Sequence, residues 1–214
     1  MKTVWIIGAG KFGFHALKQL SNQHRDWHFV LVDKVKKNLF RTGVPNTTFR
    51  YSDGVRFLYD FLEPGTEVFW IIPSLPVHLA WEWCRMKMGS NRLVRSLLLS
   101  GINSLLPNPM QGDNKDVYTS NADFFCPENC SEPENICTVT KQPRKQDMFD
   151  RLETLKYKDY TPVVLRSRQL GPGIGGYRPA QLFSFLKKAE QYKGSLLLCT
   201  ACRCHGVITG AKHL

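Results

Sequence analysis

No apolar run in this chain is long enough for a membrane span. The longest, Val68 to Cys84, is broken by Pro73, Pro76, His78 and Glu82 and falls short of the ~20 clean residues a helix needs to cross a bilayer. Acidic residues are also scarce: 18 Asp and Glu against 29 Lys and Arg leave a net charge of +11. Such a surplus attracts nucleic acid and acidic ligands alike. The sequence carries no RNA-binding aromatic signature, finger spacing or helix-turn-helix, however, so neither a nucleic-acid nor a membrane partner is expected. The cations fall in clusters, Lys34, Lys36, Lys37 and Arg41 in one and Lys141, Arg144, Lys145, Arg151, Lys156 and Lys158 in another, and read as solvated surface. Met1 leads straight into a strand and a glycine loop with no apolar leader, which makes a cytoplasmic location the expectation. No motif sets an acid, a base and a nucleophile at a recognisable spacing.

What is present begins at the first turn. Thr3-Val4-Trp5-Ile6-Ile7 reads as a buried strand that runs into Gly8-Ala9-Gly10-Lys11-Phe12-Gly13, a G-x-G-x-x-G loop, and then a helix over Lys11 to Gln23. Gly8 suits the tight turn, Gly10 lets backbone approach a pyrophosphate, and Gly13 lets the helix pack on the strand. Unpaired N–H groups at the helix N-terminus favour an anion there. The next strand, from His28, ends in Asp33, where the ribose-binding acid of a dinucleotide site belongs. The lysines that follow, Lys34 first, would suit a 2′-phosphate, whereas Asp33 itself favours NAD over NADP.

On Gly8, Gly10, Gly13 and Asp33 the chain, up to residue 90, resembles the Rossmann NAD(P)-binding superfamily. Its texture is similar to the nucleotide-binding domains of saccharopine dehydrogenase and of potassium-uptake regulatory proteins. The resemblance implies a cofactor and leaves the reaction open. The implied contact set is Gly8, Ala9, Gly10, Lys11, Phe12, Gly13, Asp33 and Lys34, with Pro73 and Ser74 from the loop at the carboxyl end of a later strand.

A hydrophobic content of 43% supports a sizeable core. The spacing predicts a strand at Thr47–Tyr51, a helix over Asp53–Leu62 capped by Ser52, a strand at Glu67–Ile72, a helix over Val77–Met88 that includes His78, and a strand at Val94–Ser100. Farther on come a helix near Gln146–Leu155, a strand at Thr161–Ser167, a glycine turn at Gly171–Gly176 with Arg166, Arg168 and Arg178 to assist an anion, a helix from Pro179 to Gln191 and a strand at Ser195–Thr200. The expected architecture is α/β: a doubly wound, mostly parallel Rossmann sheet with helices on both faces. Residues 1–102 form the dinucleotide core, 103–147 an irregular Cys- and Pro-rich insertion, and 148–214 a C-terminal βαβ unit that completes the same sheet.

Cysteines supply the second signal. Cys126, Cys130 and Cys137 lie in the insertion, while Cys202 and Cys204 follow the last expected strand. Three loop thiolates and one C-terminal thiolate would make a four-sulfur site for zinc or an iron-sulfur cluster, with His205 as a substitute ligand. Reduced thiols with ordinary packing roles, or disulfides, are the alternatives; Cys84 and Cys199 read as small hydrophobes. His205 and Tyr177 are the candidate proton-transfer groups. The functional expectation is an NAD(P)-dependent oxidoreductase of a small-molecule substrate, able to self-associate, with a non-catalytic nucleotide-sensing subunit as the alternative.

Overall fold

The computed structural model describes residues 1–39 and 43–214, so Arg41 of the first basic cluster lies outside the described residues. The chain is α/β. Its first half alternates β1 (Thr3–Ile7), α1 (Lys11–Gln23), β2 (His28–Asp33), α2 (Lys36–Leu39), β3 (Thr47–Tyr51), α3 (Gly54–Phe61), β4 (Trp70–Pro73) and α4 (Leu79–Met88). The four strands form one parallel sheet in the order β3-β2-β1-β4. β1 therefore pairs with β2 on one side, Ile7 opposite Val32, and with β4 on the other, Ile7 opposite Pro73. The order reverses between β1 and β4, and their carboxyl ends flank that reversal.

Strand alternation sends the apolar residues of β1 to both faces, as a fully covered parallel strand requires. Val4 and Ile6 pack with Ala16, Leu17 and Leu20 of α1, whereas Trp5 and Ile7 pack with Phe57 and Leu58 of α3 and Trp81 and Trp83 of α4. The N-cap of α3 is Asp53, one residue beyond the expected Ser52. Its Oδ1 accepts the N–H groups of Val55 at 3.0 Å and Arg56 at 3.1 Å, while the Ser52 hydroxyl bonds only the Asp53 carbonyl.

The second half departs from expectation. β5 (Leu93–Arg95), β6 (Met110–Gln111) and β7 (Val117–Ser120) precede α5 (Met148–Glu153), β8 (Thr161–Arg166), a hairpin of β9 (Arg168–Gly171) and β10 (Ile174–Gly176), α6 (Pro179–Gln191), β11 (Ser195–Ala201) and β12 (His205–His213). β8 and β11 are parallel and joined through α6, which is the expected βαβ unit. It does not complete the first sheet. β12 follows β11 through a tight turn, where the Cys202 N–H donates to the His205 carbonyl at 3.0 Å, and pairs with it antiparallel along its length. β7 and β5 then add to the other edge of β12, giving a separate mixed sheet in the order β6-β7-β12-β11-β8. Gly210 makes room for this: a Cβ there would lie 2.4 Å from the Ser96 carbonyl oxygen. The strand expected at Val94–Ser100 shrinks to β5, and a 3-10 helix over Ser100–Leu105 follows.

Both sheets share one apolar layer. Trp5, Ile7 and Ile71 of the first sheet and Val163, Leu165, Leu196 and Leu198 of the second meet α3, α4 and α6 in a single core. On the outer face of the second sheet, Leu197, Cys199 and Ile208 pack against Met148 and Leu152 of α5. Cys84 and Cys199 are fully buried within these cores, as small hydrophobes would be.

The cap assignment is testable by urea unfolding. Asp53→Ala should cost about 1 kcal/mol with an unchanged m-value, and Ser52→Ala should stay within about 0.5 kcal/mol of the parent. The reverse ranking would return the cap to Ser52.

Candidate functional site

The glycine loop is built by close approach. Gly8 has φ of +108°, and a Cβ there would sit 2.5 Å from the Ser74 carbonyl oxygen; a Cβ on Gly13 would sit 1.8 Å from the Gly8 carbonyl oxygen. Only glycine tolerates either position. Gly10 differs: it is exposed, and among the described residues nothing lies within 4 Å of the place its Cβ would take. Gly10 is also the N-cap of α1, with no side-chain cap and no acid in the first turn, so this helix end is left with unpaired N–H groups.

Asp33 pins this loop. Its Oδ2 accepts the Ala9 N–H at 2.7 Å and its Oδ1 the Val35 N–H at 2.6 Å, with the Asn38 amide 3.4 Å from Oδ2. The carboxylate is buried, while Lys34, Lys36 and Lys37 beside it are exposed. Ser74 closes the opposite side, donating its N–H to the Ile7 carbonyl at 2.8 Å. Ala9, Gly10, Asp33, Pro73 and Ser74 thus gather at the carboxyl ends of β1, β2 and β4.

The insertion lies against the same helix end. Glu128 forms an ion pair with Lys11, the first residue of α1. The segment is gripped from below by the β9–β10 hairpin, whose Gly173 N–H donates to the Cys130 carbonyl at 3.0 Å. A Cβ on Gly173 would lie 1.8 Å from the Glu128 carbonyl oxygen, and φ there is +71°. The glycine turn expected to open a helix and bind an anion is therefore a hairpin turn. Two of its expected helpers, Arg166 and Arg178, lie over aromatic rings, Arg178 3.6 Å from the centroid of Phe69 and donating to the Phe69 carbonyl.

Glu132 fastens the insertion to the β11–β12 turn, its Oε1 accepting the N–H groups of Arg203 at 2.7 Å and Cys204 at 3.1 Å. The Arg203 guanidinium returns to Asp147 and Glu134, and Arg144 reaches the carbonyls of Glu134 and Pro133. As a result Cys126, Cys130, Cys137, Cys202, Cys204 and His205 all line one cavity of about 1040 Å³, with Phe12 at its edge. All seven cysteines are free thiols. Burial pushes the Cys126 thiol up, and Cys130, Cys204 and Cys137 push it further, so these groups sense one another. The Cys137 thiol is drawn down, first by hydrogen bonding at Thr140. As the side chains stand, no three His, Cys, Asp or Glu among the described residues are grouped to hold a metal ion.

The two proton-transfer candidates part company. His205 lines the thiol cavity, 3.8 Å from the Cys202 sulfur through Nδ1. Tyr177 is only 1% exposed and belongs to the core shared by the two sheets; its hydroxyl finds no hydrogen-bond partner among the described residues, and burial drives its pKa upward. It is thereby sealed from any solvent-borne substrate.

A polar chain that sequence reasoning passed over runs beneath the cavity. His78 is the buried N-cap residue of α4, one position before the helix. The Thr209 hydroxyl donates to Asp116, so Thr209 accepts from His78 Nδ1–H at 2.8 Å, and His78 Nε2 accepts from Thr200 at 2.8 Å. Arg95 pairs with Asp116 and with Glu82. Burial, with the Arg95 charge second, lowers the His78 pKa to about 3.

A family model described as "Uncharacterized protein, C-terminal domain" matches residues 79–214. A protein of Archaeoglobus fulgidus described as "Uncharacterized protein" is 33% identical over 219 residues, covering 97% of this chain and 98% of the relative. The chain belongs to that family. No solved structure matches it. Among the described residues no helix is long and apolar enough to cross a membrane.

The His78 chain sets a pH dependence. In the unfolded chain His78 takes up a proton below the ordinary value of 6.5, whereas in the folded protein it stays neutral down to about 3, so stability falls as the pH drops through that window. Its share of the loss between pH 7 and pH 5 should be about 2 kcal/mol. Urea unfolding of the parent and of His78→Gln across that range should show a shallower slope for the variant; parallel slopes would mean that His78 takes up a proton as readily in the fold as in the unfolded chain.

Proposed function

We propose that this member of the family binds NAD or NADP at the loop Gly8–Gly13, and that its parallel four-stranded sheet is one half of a Rossmann-type, doubly wound arrangement. The observation that carries the reading is the unobstructed face of Gly10 at an uncapped helix N-terminus, in a loop held by Asp33 and Ser74. A pyrophosphate needs such a cradle: close backbone approach, free N–H groups and the positive end of a helix. The N–H groups at the start of α1 would hold the phosphates. Asp33, fixed by Ala9 and Val35, would face the ribose, with Lys34 beside it. Pro73 and Ser74 would border the crevice at the switch between β1 and β4. The cofactor supplies hydride transfer when bound, and the chain serves as an oxidoreductase toward a small-molecule substrate.

A specific observation also favours the nucleotide-sensing reading: the Tyr177 hydroxyl is enclosed in the core, which takes one of the two proton-transfer candidates out of play. In that reading NADH shifts the melting temperature but is not oxidised by an added two-electron dye acceptor.

Titration with NADH and NADPH, followed by nicotinamide fluorescence, tests the assignment. Gly10→Val fills the open face without touching the fold, so it should weaken binding about 10-fold or more with little change in melting temperature. Asp33→Ala should weaken NADH more than NADPH. Unchanged affinity in Gly10→Val would remove the loop as the binding site, and equal losses in Asp33→Ala would remove the ribose assignment.

A further inference from the structure

We propose that Cys126, Cys130, Cys137 and Cys204 hold an iron-sulfur cluster in the cavity beside the glycine loop. Four thiols from two distant stretches of chain are brought around one cavity of about 1040 Å³. The convergence has its own machinery, the Glu132 carboxylate on the Arg203 and Cys204 N–H groups and the Arg203 pairs with Asp147 and Glu134. Such fastening leaves residues 121–147 with no helix or strand and little core: Phe125 is fully exposed, and Ile136 and Val139 are exposed too. A long segment without regular structure or core is ordinarily held by something else, and a prosthetic group bound by thiolates is one such thing.

Of the two C-terminal thiols, Cys204 is the ligand. Cys204 stands close enough to Cys126 and Cys130 for the three thiols to act on one another through space. Both C-terminal thiols face the Glu132 carboxylate, and the Arg144 guanidinium stands beside Cys204. Arg144 and Arg203 would also offset the negative charge of a four-thiolate cluster.

A cluster fits these thiols better than a single zinc. Zinc bonds sulfur at about 2.3 Å, so tetrahedral geometry demands sulfurs ~3.8 Å apart. Among the described residues no trio of ligands is drawn together for a single ion, although the four thiols interact through space. A cluster brings iron and sulfide of its own and meets its thiolates across a wider span. Glu128, midway between Cys126 and Cys130, pairs with Lys11 at the start of α1, so the cluster would share a wall with the glycine loop. The cluster assignment itself stands independently of dinucleotide binding.

The test uses the full chain, purified anaerobically and incubated with ferrous iron, sulfide and thiol reductant, with no nucleotide added. The expected result is a broad absorbance near ~400 nm with matching iron and sulfide, bleached by dithionite. Ala substitution of Cys126, Cys130, Cys137 or Cys204 should lower bound iron about 5-fold or more, and Cys202→Ala and Cys84→Ala should retain it. Far-UV circular dichroism of each apo variant separates ligand loss from misfolding, and Cys204→Ser provides a milder substitution at the deciding position. Absence of iron and sulfide from folded protein would overturn the proposal, as would one colourless zinc per chain, or iron lost from Cys202→Ala and kept by Cys204→Ala. Failure to bind NADH would leave these outcomes unchanged.

Discussion

One apolar layer, made by α3, α4 and α6 between two sheets, fixes where everything else can be. Trp81 and Trp83 of α4 belong to the same core as Trp5 of the first sheet and Leu198 of the second. Close-packed side chains of this size leave the sheets little freedom to slide. The glycine loop stands at the end of β1, and the β11–β12 turn stands at the end of β11. Their neighbourhood follows from that shared layer, and the insertion only has to bridge a gap whose width is already set.

The bridge is polar throughout. Glu132, Arg203, Asp147 and Arg144 join the insertion to the turn, and Lys11 and Glu128 join it to α1. These contacts differ in strength. The Lys11–Glu128 pair is exposed, with side chains 72% and 60% accessible, and such a pair is worth at most about 1 kcal/mol. Glu132 accepts two backbone N–H groups that belong to a turn, which ties its carboxylate to the main chain. The hold on the thiol side of the cavity is therefore firm, and the hold on the glycine side is easily exchanged for another anion at the helix end.

Much of the first half was legible in the sequence because its signals are local. The period-2 and period-3.6 patterns of β1, α1, β2 and β3 depend on near neighbours, and of the glycine contacts the approach of Gly13 to Gly8 is local while that of Gly8 to Ser74 is not. Ser52 and Asp53 are both good caps, and only the backbone geometry at Asp53 decides between them. The second half resisted for a different reason. His205–His213 carries two glycines and three cationic or titratable residues among its apolar ones, so it does not read as a central strand. Its partners β5, β7 and β11 lie as far as 120 residues away, Leu93 opposite His213. The meeting of the two cysteine groups was visible from composition, whereas Glu132, Arg144 and Arg203, which accomplish it, carry no local signature. Tyr177 looked reactive in a glycine-rich stretch because nothing nearby announces that Ile71 pairs with it and draws it into the core.

The placement of β12 has a consequence for how the protein comes into being. β5, β7 and β11 each pair with it, so on a ribosome the second sheet lacks its middle until residues 205–213 have emerged. The first sheet needs none of them, since its four strands end at Pro73. Synthesis therefore presents a parallel sheet before α6, β8 and β11 are there to cover its helical layer, and β12, arriving after them, joins β11 to β5 and β7 and sets Cys204 beside the cavity in the same event.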